Sequence, residues 1–278
     1  MTTRATVAAV VTAAAALAAA PWALTAAADI EIVVPPAFTD VAAGNTFIGP
    51  MAIGERTNQF IMHEDLLTDL VGRELTGVAW RLPSNATSAW PAVDIAYNFY
   101  NIFLSESVAP ADRSTVFAEN VVGPQTQVRG GSLAVGAGAF PFGGNPNDFG
   151  VTIEFAPYLY TGGHLLLEIR HGGNGTASRA LEALNTGTAG YGSDYAAVWS
   201  GNANAVDGGL AGSFTIMRFT ATGDDPGILG DLNNDGIVDG ADLGILLSNW
   251  GNPGLGDLND DGIVDGADLG ILLSNWSR

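Results

Sequence analysis

The sequence predicts a mainly β protein, a jelly-roll-type β-sandwich, followed by a small all-α unit at the C-terminus. Three observations carry this. Between residues 29 and 222, short runs of alternating polar and apolar residues are broken at Gly, Pro, Asn and Asp, the pattern of half-buried strands joined by turns. Glycine is abundant, at 37 of 278 residues, while charged residues make up only 14%, which suits many short strands better than long solvated helices. Near the C-terminus one segment occurs twice almost unchanged, and each copy ends in an apolar stripe of helical spacing.

Asp29–Val34 alternates cleanly, and Leu75–Leu82 reads as a second strand. Val93–Leu104 is expected as one long strand with Val93, Ile95, Tyr97, Phe99, Asn101 and Phe103 on a common face. Val151–Phe155, His164–Arg170 and Ser213–Thr220 complete the set. One or two helical turns fit Glu64–Leu70, where Leu66, Leu67 and Leu70 share a face. Strands and helices do not alternate as a doubly wound or barrel enzyme requires, so two packed sheets are the expected architecture.

Met1–Arg4 is short and basic, Ala5–Ala20 is a run of Ala, Val, Leu and Thr, and Ala26–Ala28 offers small residues for cleavage. That order reads as a signal peptide over residues 1–28, and hence as a secreted, extracellular or cell-surface protein. The run is Ala-rich and broken by Pro21, which suits a bilayer span poorly; no stable membrane span is expected once it is removed. The sandwich then occupies 29–222, a linker 223–229, and the repeat pair 230–278. Cysteine is absent, which excludes disulfides and thiolate chemistry. The net charge is −19, and all ten basic residues are Arg. A nucleic-acid partner is not expected, because phosphate neutralisation needs a basic patch. Residues 224–278 carry eleven of the 29 acidic residues against a single Arg.

Those acids stand at fixed spacing. Gly230–Trp250 and Gly256–Trp276 differ at one of 21 positions, Asn234 against Asp260, with a period of 26 residues. Calcium takes six to eight oxygen ligands, which a short loop supplies from alternate positions. In the first copy Asp231, Asn233 and Asp235 supply side-chain oxygens at positions 1, 3 and 5. Gly236 permits the sharp turn, Ile237 offers its carbonyl, Asp239 acts directly or through water, and Asp242 closes the loop from a helix. In the second copy the same roles fall to Asp257, Asn259, Asp261, Ile263, Asp265 and Asp268. Two Ca²⁺ ions are therefore expected. Leu243, Leu246, Leu247 and Trp250, and their counterparts Leu269, Leu272, Leu273 and Trp276, form stripes through which the two following helices are expected to pack. So small a core falls below the usual limit for independent folding, so the ions are expected to contribute folding energy.

Asp rather than Glu at position 12, and a helix after each loop but none clearly before it, make Gly230–Trp276 similar to the dockerin family, type I repeat. The resemblance implies docking onto a cohesin-like scaffold or a surface protein, through loop positions 10 and 11 and the following helix. Here those loop positions are Gly240-Ala241 and Gly266-Ala267, without the hydroxyl side chains frequent in the family. Segments of the middle domain, among them Leu75–Arg81, Ser107–Arg113, Asn120–Gln127, Phe149–Ile153 and Leu166–His171, resemble sandwich modules of secreted bacterial proteins with such tails. That resemblance implies a shared fold and no activity.

Dockerin-like tails also accompany polysaccharide-degrading enzymes, so a glycoside hydrolase or lyase is the alternative to a non-catalytic module. Such chemistry needs two carboxylates facing a cleft. Asp94, Glu154 and Glu168 are the strand candidates, and alternation places each on a solvent side. No catalytic residue is assigned. His63, His164 and His171 form no H-x-H or H-E-x-x-H pattern. A polysaccharide partner would use exposed aromatics; Trp80 is expected in the core, Trp90 and Trp199 at the surface, and Tyr158, Tyr160 and Tyr191 are further candidates.

Overall fold

The computed structural model describes residues 29–222, 229–233, 237–259 and 261–277. The export segment expected at 1–28, most of the linker, and Asp235 and Gly236 of the first loop lie outside the described residues.

The described residues begin with β1 (Ile30–Val34), β2 (Asn45–Phe47), β3 (Arg56–Met62), β4 (Glu74–Trp80) and β5 (Ile95–Tyr97). There follow β6 (Tyr100–Ser107), β7 (Val121–Arg129), β8 (Leu133–Val135), β9 (Ile153–Leu159) and β10 (Leu165–His171). The strand series ends with β11 (Leu181–Asn185), β12 (Tyr195–Ser200), β13 (Gly209–Leu210), β14 (Ser213–Thr215) and β15 (Met217–Ala221). Among the described residues two α-helices follow, α1 (Gly240–Ser248) and α2 (Gly266–Ser274). The protein is thus mainly β with a small C-terminal helical region.

The strands form four antiparallel sheets. One has the order β1-β15-β4-β9, the other large one β13-β12-β3-β10-β6-β7, and the small ones are β14-β11-β2 and β5-β8. Both large sheets feed one hydrophobic cluster: Val78, Trp80 and Phe219 from the first, Phe60, Leu104 and Leu167 from the second. The arrangement is sandwich-like. Arg81 is buried and pairs with the buried Glu182, while its guanidinium donates to the carbonyls of Phe38, Thr39 and Val41.

Several expectations are corrected. Val93–Leu104 is not one strand. β5 ends at Tyr97 and pairs with β8, whereas β6 starts at Tyr100 and joins the large sheet. The buried set runs Ile95, Tyr97, then Tyr100, Ile102, Leu104; one step of phase is lost between the strands, and a one-residue slip exchanges the faces. Asn101 and Phe103 therefore lie off the core face, and Val93, which precedes β5 in a bend, is exposed. Ser213–Thr220 likewise divides at Ile216 between a small sheet and a large one. By contrast, the one or two helical turns expected over Glu64–Leu70 do form, as two 3₁₀ turns, with Leu67 and Leu70 buried and Leu66 half-buried. β3 has no alternation to read: Thr57, Asn58 and Gln59 are polar yet fully buried, because both its faces are covered, with Thr57 donating to the Asn202 carbonyl, Gln59 to the Phe117 carbonyl, and Asn58 lying beside Gly49.

Glu168 is not on a solvent side. It is 2% exposed, because the second face of β10 is covered by the 3₁₀ turn Phe117–Asn120. Gln59 links the two, donating to the Phe117 carbonyl at 3.0 Å and to Glu168 Oε2 at 2.7 Å. Arg170 Nε donates to the other Glu168 oxygen at 2.5 Å, leaving this buried carboxylate paired and hydrogen-bonded. Trp90 is also buried, against Phe140 with ring centroids 5.4 Å apart. Among the described residues no helix is long and apolar enough to cross a membrane.

Candidate functional site

The two repeats form their helices in the same way. Asp239 caps α1 by accepting from the Ala241 N–H at 2.7 Å, and Asp242 reaches back to the Asp239 N–H at 2.8 Å. Asp265 and Asp268 do the same for α2. This is a capping box with Asp in place of the usual Glu or Gln. The acidic first turn also complements the positive end of the helix dipole.

The core between the repeats is small. Val238, Leu246, Val264 and Leu272 are fully buried, with Leu232, Leu243, Leu258 and Leu269 packed around them. The expected stripe is only half used. Leu247 and Leu273 are 52% and 51% exposed, and Trp250 and Trp276 are 45% and 38% exposed. Loop residues occupy the seam instead: Val238 and Val264 supply the burial that the second half of each stripe was expected to provide.

The repeats are interlocked. The Val238 N–H of the first loop donates to Ser277 Oγ at 2.8 Å, and the Ser277 N–H returns to the Val238 carbonyl at 2.9 Å. The second loop meets the chain after α1 in the same way: the Val264 N–H donates to the Asn252 carbonyl and the Gly251 N–H to the Val264 carbonyl, both at 2.9 Å. Gly230 and Gly256 open the loops with φ of +108° and +104°, and a Cβ on either would lie 3.1 Å or 3.4 Å from the Cα of Leu272 or Leu246. Each loop therefore begins on the other repeat's helix. Sequence reading missed this reciprocity, although the identical Gly at each loop entry was its visible trace.

The second loop shows how its oxygens are arranged. Asp257 accepts from the N–H groups of Asp261 at 3.1 Å and Gly262 at 2.8 Å. Asn259 Oδ1 accepts from Asp261 N at 3.0 Å, and Asp261 Oδ1 from Ile263 N at 3.1 Å. The chain thus wraps around its own position-1, -3 and -5 side chains. Each of these bonds uses one lone-pair direction and leaves others for a further partner. Asn259, Asp261 and Ile263 are exposed, Asp257 and Asp265 half-buried. In the first loop Asp231 is 5% exposed, Asp239 is half-buried, and Asn233 and Ile237 are exposed. Among the described residues, no three acidic side chains of these loops bring a ligand oxygen each within 4.8 Å of one another.

Asp242 and Asp268 are fully buried and sit at the centre of each loop. Asp242 Oδ1 accepts from Leu232 N at 2.7 Å and Asn233 N at 3.1 Å; Asp268 Oδ1 accepts from Leu258 N at 2.8 Å and Asn259 N at 3.2 Å. For Asp242, burial opposes ionisation, but the N–H groups of Asp239, Asn233 and Leu232 together outweigh it and hold the pKa below the usual carboxylate range. For Asp268 the Asp265 N–H is the largest influence, and with the Leu258 and Asn259 donors it lowers the pKa against the opposing effect of burial. Both side chains are kept ionised, the state in which a carboxylate ligates a cation.

Of the strand acids weighed for catalysis, Asp94 and Glu154 are exposed as expected, and Asp94 accepts from the Ala137 N–H at 2.8 Å. Glu168 borders a surface cleft of about 400 Å³ together with Phe117, Gln125 and Arg170; it is the one carboxylate there. His171 is buried between Tyr97 and Tyr100 and stacks on the Tyr100 ring at 5.4 Å. Burial lowers its pKa to about 4, with a backbone bond to Gly49 opposing and nearby Arg56 assisting. Trp80 and Tyr160 are buried, while Tyr158, Tyr191 and Trp199 are half-buried. The Arg56 guanidinium lies 5.1 Å from the Trp199 ring centroid. Comparison with family models, curated proteins and solved structures gives no match to this chain.

Proposed function

We propose that this is a secreted bacterial protein whose C-terminal repeats bind two calcium ions and dock a non-catalytic β-sandwich onto a cohesin-like scaffold or a surface protein. The supporting observation is the interlocked pair of oxygen-rich loops. Each offers four Asp carboxylates, one Asn amide oxygen and one backbone carbonyl at matched positions, an all-oxygen set that suits a hard cation and not a soft one. In the first loop the set is Asp231, Asn233, Asp235, Ile237, Asp239 and Asp242; in the second it is Asp257, Asn259, Asp261, Ile263, Asp265 and Asp268. Calcium would offset the mutual repulsion of the four carboxylates and stabilise a helix pair whose core holds four fully buried side chains.

On this reading residues 1–28 direct export, 29–222 are cargo, 223–229 are linker and 230–278 are the dockerin-like docking module. The cargo is of jelly-roll type; the adjacency of first and last strands, β1 beside β15, supports that. A polysaccharide ligand for the sandwich, or a polysaccharide-degrading activity, has weaker support. Trp90 is buried, and Glu168 is held by Gln59 and Arg170.

Isothermal titration of the chelated full-length chain with Ca²⁺ should give two ions per chain, with a gain of helical circular dichroism as they bind. Titration to millimolar Ca²⁺ without heat and without change in helicity would sink the proposal.

A further inference from the structure

Outside the repeats, one group of side chains has the chemistry of a metal centre. Among the described residues, one ring nitrogen of His63, one of His164 and a carboxylate oxygen of Glu64 all lie within 4.8 Å of one another. They meet because of strand register. Met62 pairs with Leu165, so His63, just after β3, and His164, just before β10, face each other at the sheet end, with ring centroids 4.4 Å apart. The backbone there is held on both sides. The His63 N–H donates to the Asp194 carbonyl at 2.8 Å, and the His164 carbonyl accepts from Ser107 N at 3.0 Å. The histidines are half-buried and Glu64 is exposed, so the group is rigidly based and open to solvent.

We propose that His63, Glu64 and His164 bind a borderline transition-metal dication, with Zn²⁺ the natural probe, at a site separate from the repeat loops. Two imidazoles and one carboxylate match zinc and its neighbours and not calcium, which takes oxygen. Three protein ligands leave room for water in the remaining positions. Asp65 provides a further partner: its Oδ2 stands 3.4 Å from His63 Nδ1. With Nε2 on the ion, Nδ1–H donates to that carboxylate, the arrangement that orients a ligating imidazole and raises its basicity. At present the two Nδ1 atoms accept long bonds from backbone N–H groups, Asp65 N to His63 at 3.3 Å and Glu64 N to His164 at 3.2 Å. Metal binding exchanges these for water, which both turns can reach at the surface.

The chain contains three histidines, and the third provides an internal control. His171 is fully buried between two tyrosines. The untagged full-length chain, in millimolar Ca²⁺ to occupy the loops, is titrated with Zn²⁺ while histidine ring resonances are followed by NMR. One equivalent should shift His63 and His164 and leave His171 in place. Glu64→Gln and His164→Gln should each weaken the shift of His63 by about tenfold or more in Zn²⁺ concentration, and Asp65→Asn by about tenfold. An unmoved His171 resonance in every variant shows that the sandwich is intact. The proposal is overturned if neither histidine shifts in excess Zn²⁺, or if His63 responds equally in wild type and His164→Gln.

Discussion

The sandwich and the C-terminal repeat pair solve the same problem with different means. The sandwich gathers side chains from two large sheets into one cluster that includes Trp80, Phe60, Phe140, Phe214 and Phe219. The repeat pair has four fully buried aliphatic residues, and it organises its loops with buried carboxylates that collect backbone N–H groups. One unit is stabilised mainly by burial, which requires no bound ion. The other relies on charge placed where burial is scarce, so it should respond to ions. The contrast predicts which perturbations separate the two.

Chelation is the largest. In EDTA the full-length chain should lose the helical signal of α1 and α2 while the β signal and the sandwich melting transition persist. Loss of both together would show that the units are not energetically distinct. Truncation of one core leucine in each unit tests the same point by mutation. Removing a buried leucine side chain costs about 2–5 kcal/mol. Leu272→Ala should therefore abolish the tail's folding at modest Ca²⁺ and restore it only at higher concentration. Leu167→Ala should lower the melting temperature of the sandwich yet leave it folded. Equal outcomes for the two variants, read by circular dichroism, would remove the distinction.

The two regions also differ in how far they could be read from sequence. The repeats were legible because duplication exposes the constraint: the same Gly, Asp and Leu positions recur in both copies, and α1 and α2 fall where the spacing places them. What escaped was the division of the stripe, since Leu246 and Leu247 are identical residues and only the opposite loop decides which is covered. In the sandwich, β1 and β4 were visible through alternation. β3 was not, because a strand between two others with both faces covered carries no polar period. Its loss hid the neighbourhood of His63 and His164, which depends on the β3–β10 register. Glu168 was misplaced for a related reason: alternation identifies a second face but not the turn at Phe117–Asn120 that covers it.

Acid should distinguish the units in steps. His171 is held neutral in the sandwich, its pKa lowered from the ordinary 6.5 to about 4 chiefly by burial. The unfolded chain therefore binds this proton more readily, and stability falls as pH drops from about 6.5 towards 4. The loss is roughly 3 kcal/mol if the full shift is expressed. Asp242 and Asp268 act in a lower window. Their pKa values are depressed in the folded state, so their stabilisation is present above the ordinary carboxylate pKa and is lost only as pH falls through the lower folded values. Thermal melts in saturating Ca²⁺ should show the sandwich weakening first, and His171→Phe should flatten that upper slope. An unchanged slope in the variant would assign the acid sensitivity elsewhere.

The smallest effect on stability is expected where the docking proposal is most exposed to test. Leu247 and Leu273 stand half out of the repeat pair, and Trp250 and Trp276, exposed as well, follow just past the end of each helix. These side chains contribute little to the four-residue core, so Leu247→Ser together with Leu273→Ser should change the tail's stability by no more than about 1 kcal/mol. An apolar face repeated on two helices costs solubility unless something covers it. The double variant should therefore retain its Ca²⁺ titration and lose partner binding, while either single variant should retain binding through the other copy. If the double variant loses its calcium-dependent helicity, the exposed leucines serve folding and the docking face must be sought elsewhere. If it keeps both helicity and partner binding, the stripe is not the docking face.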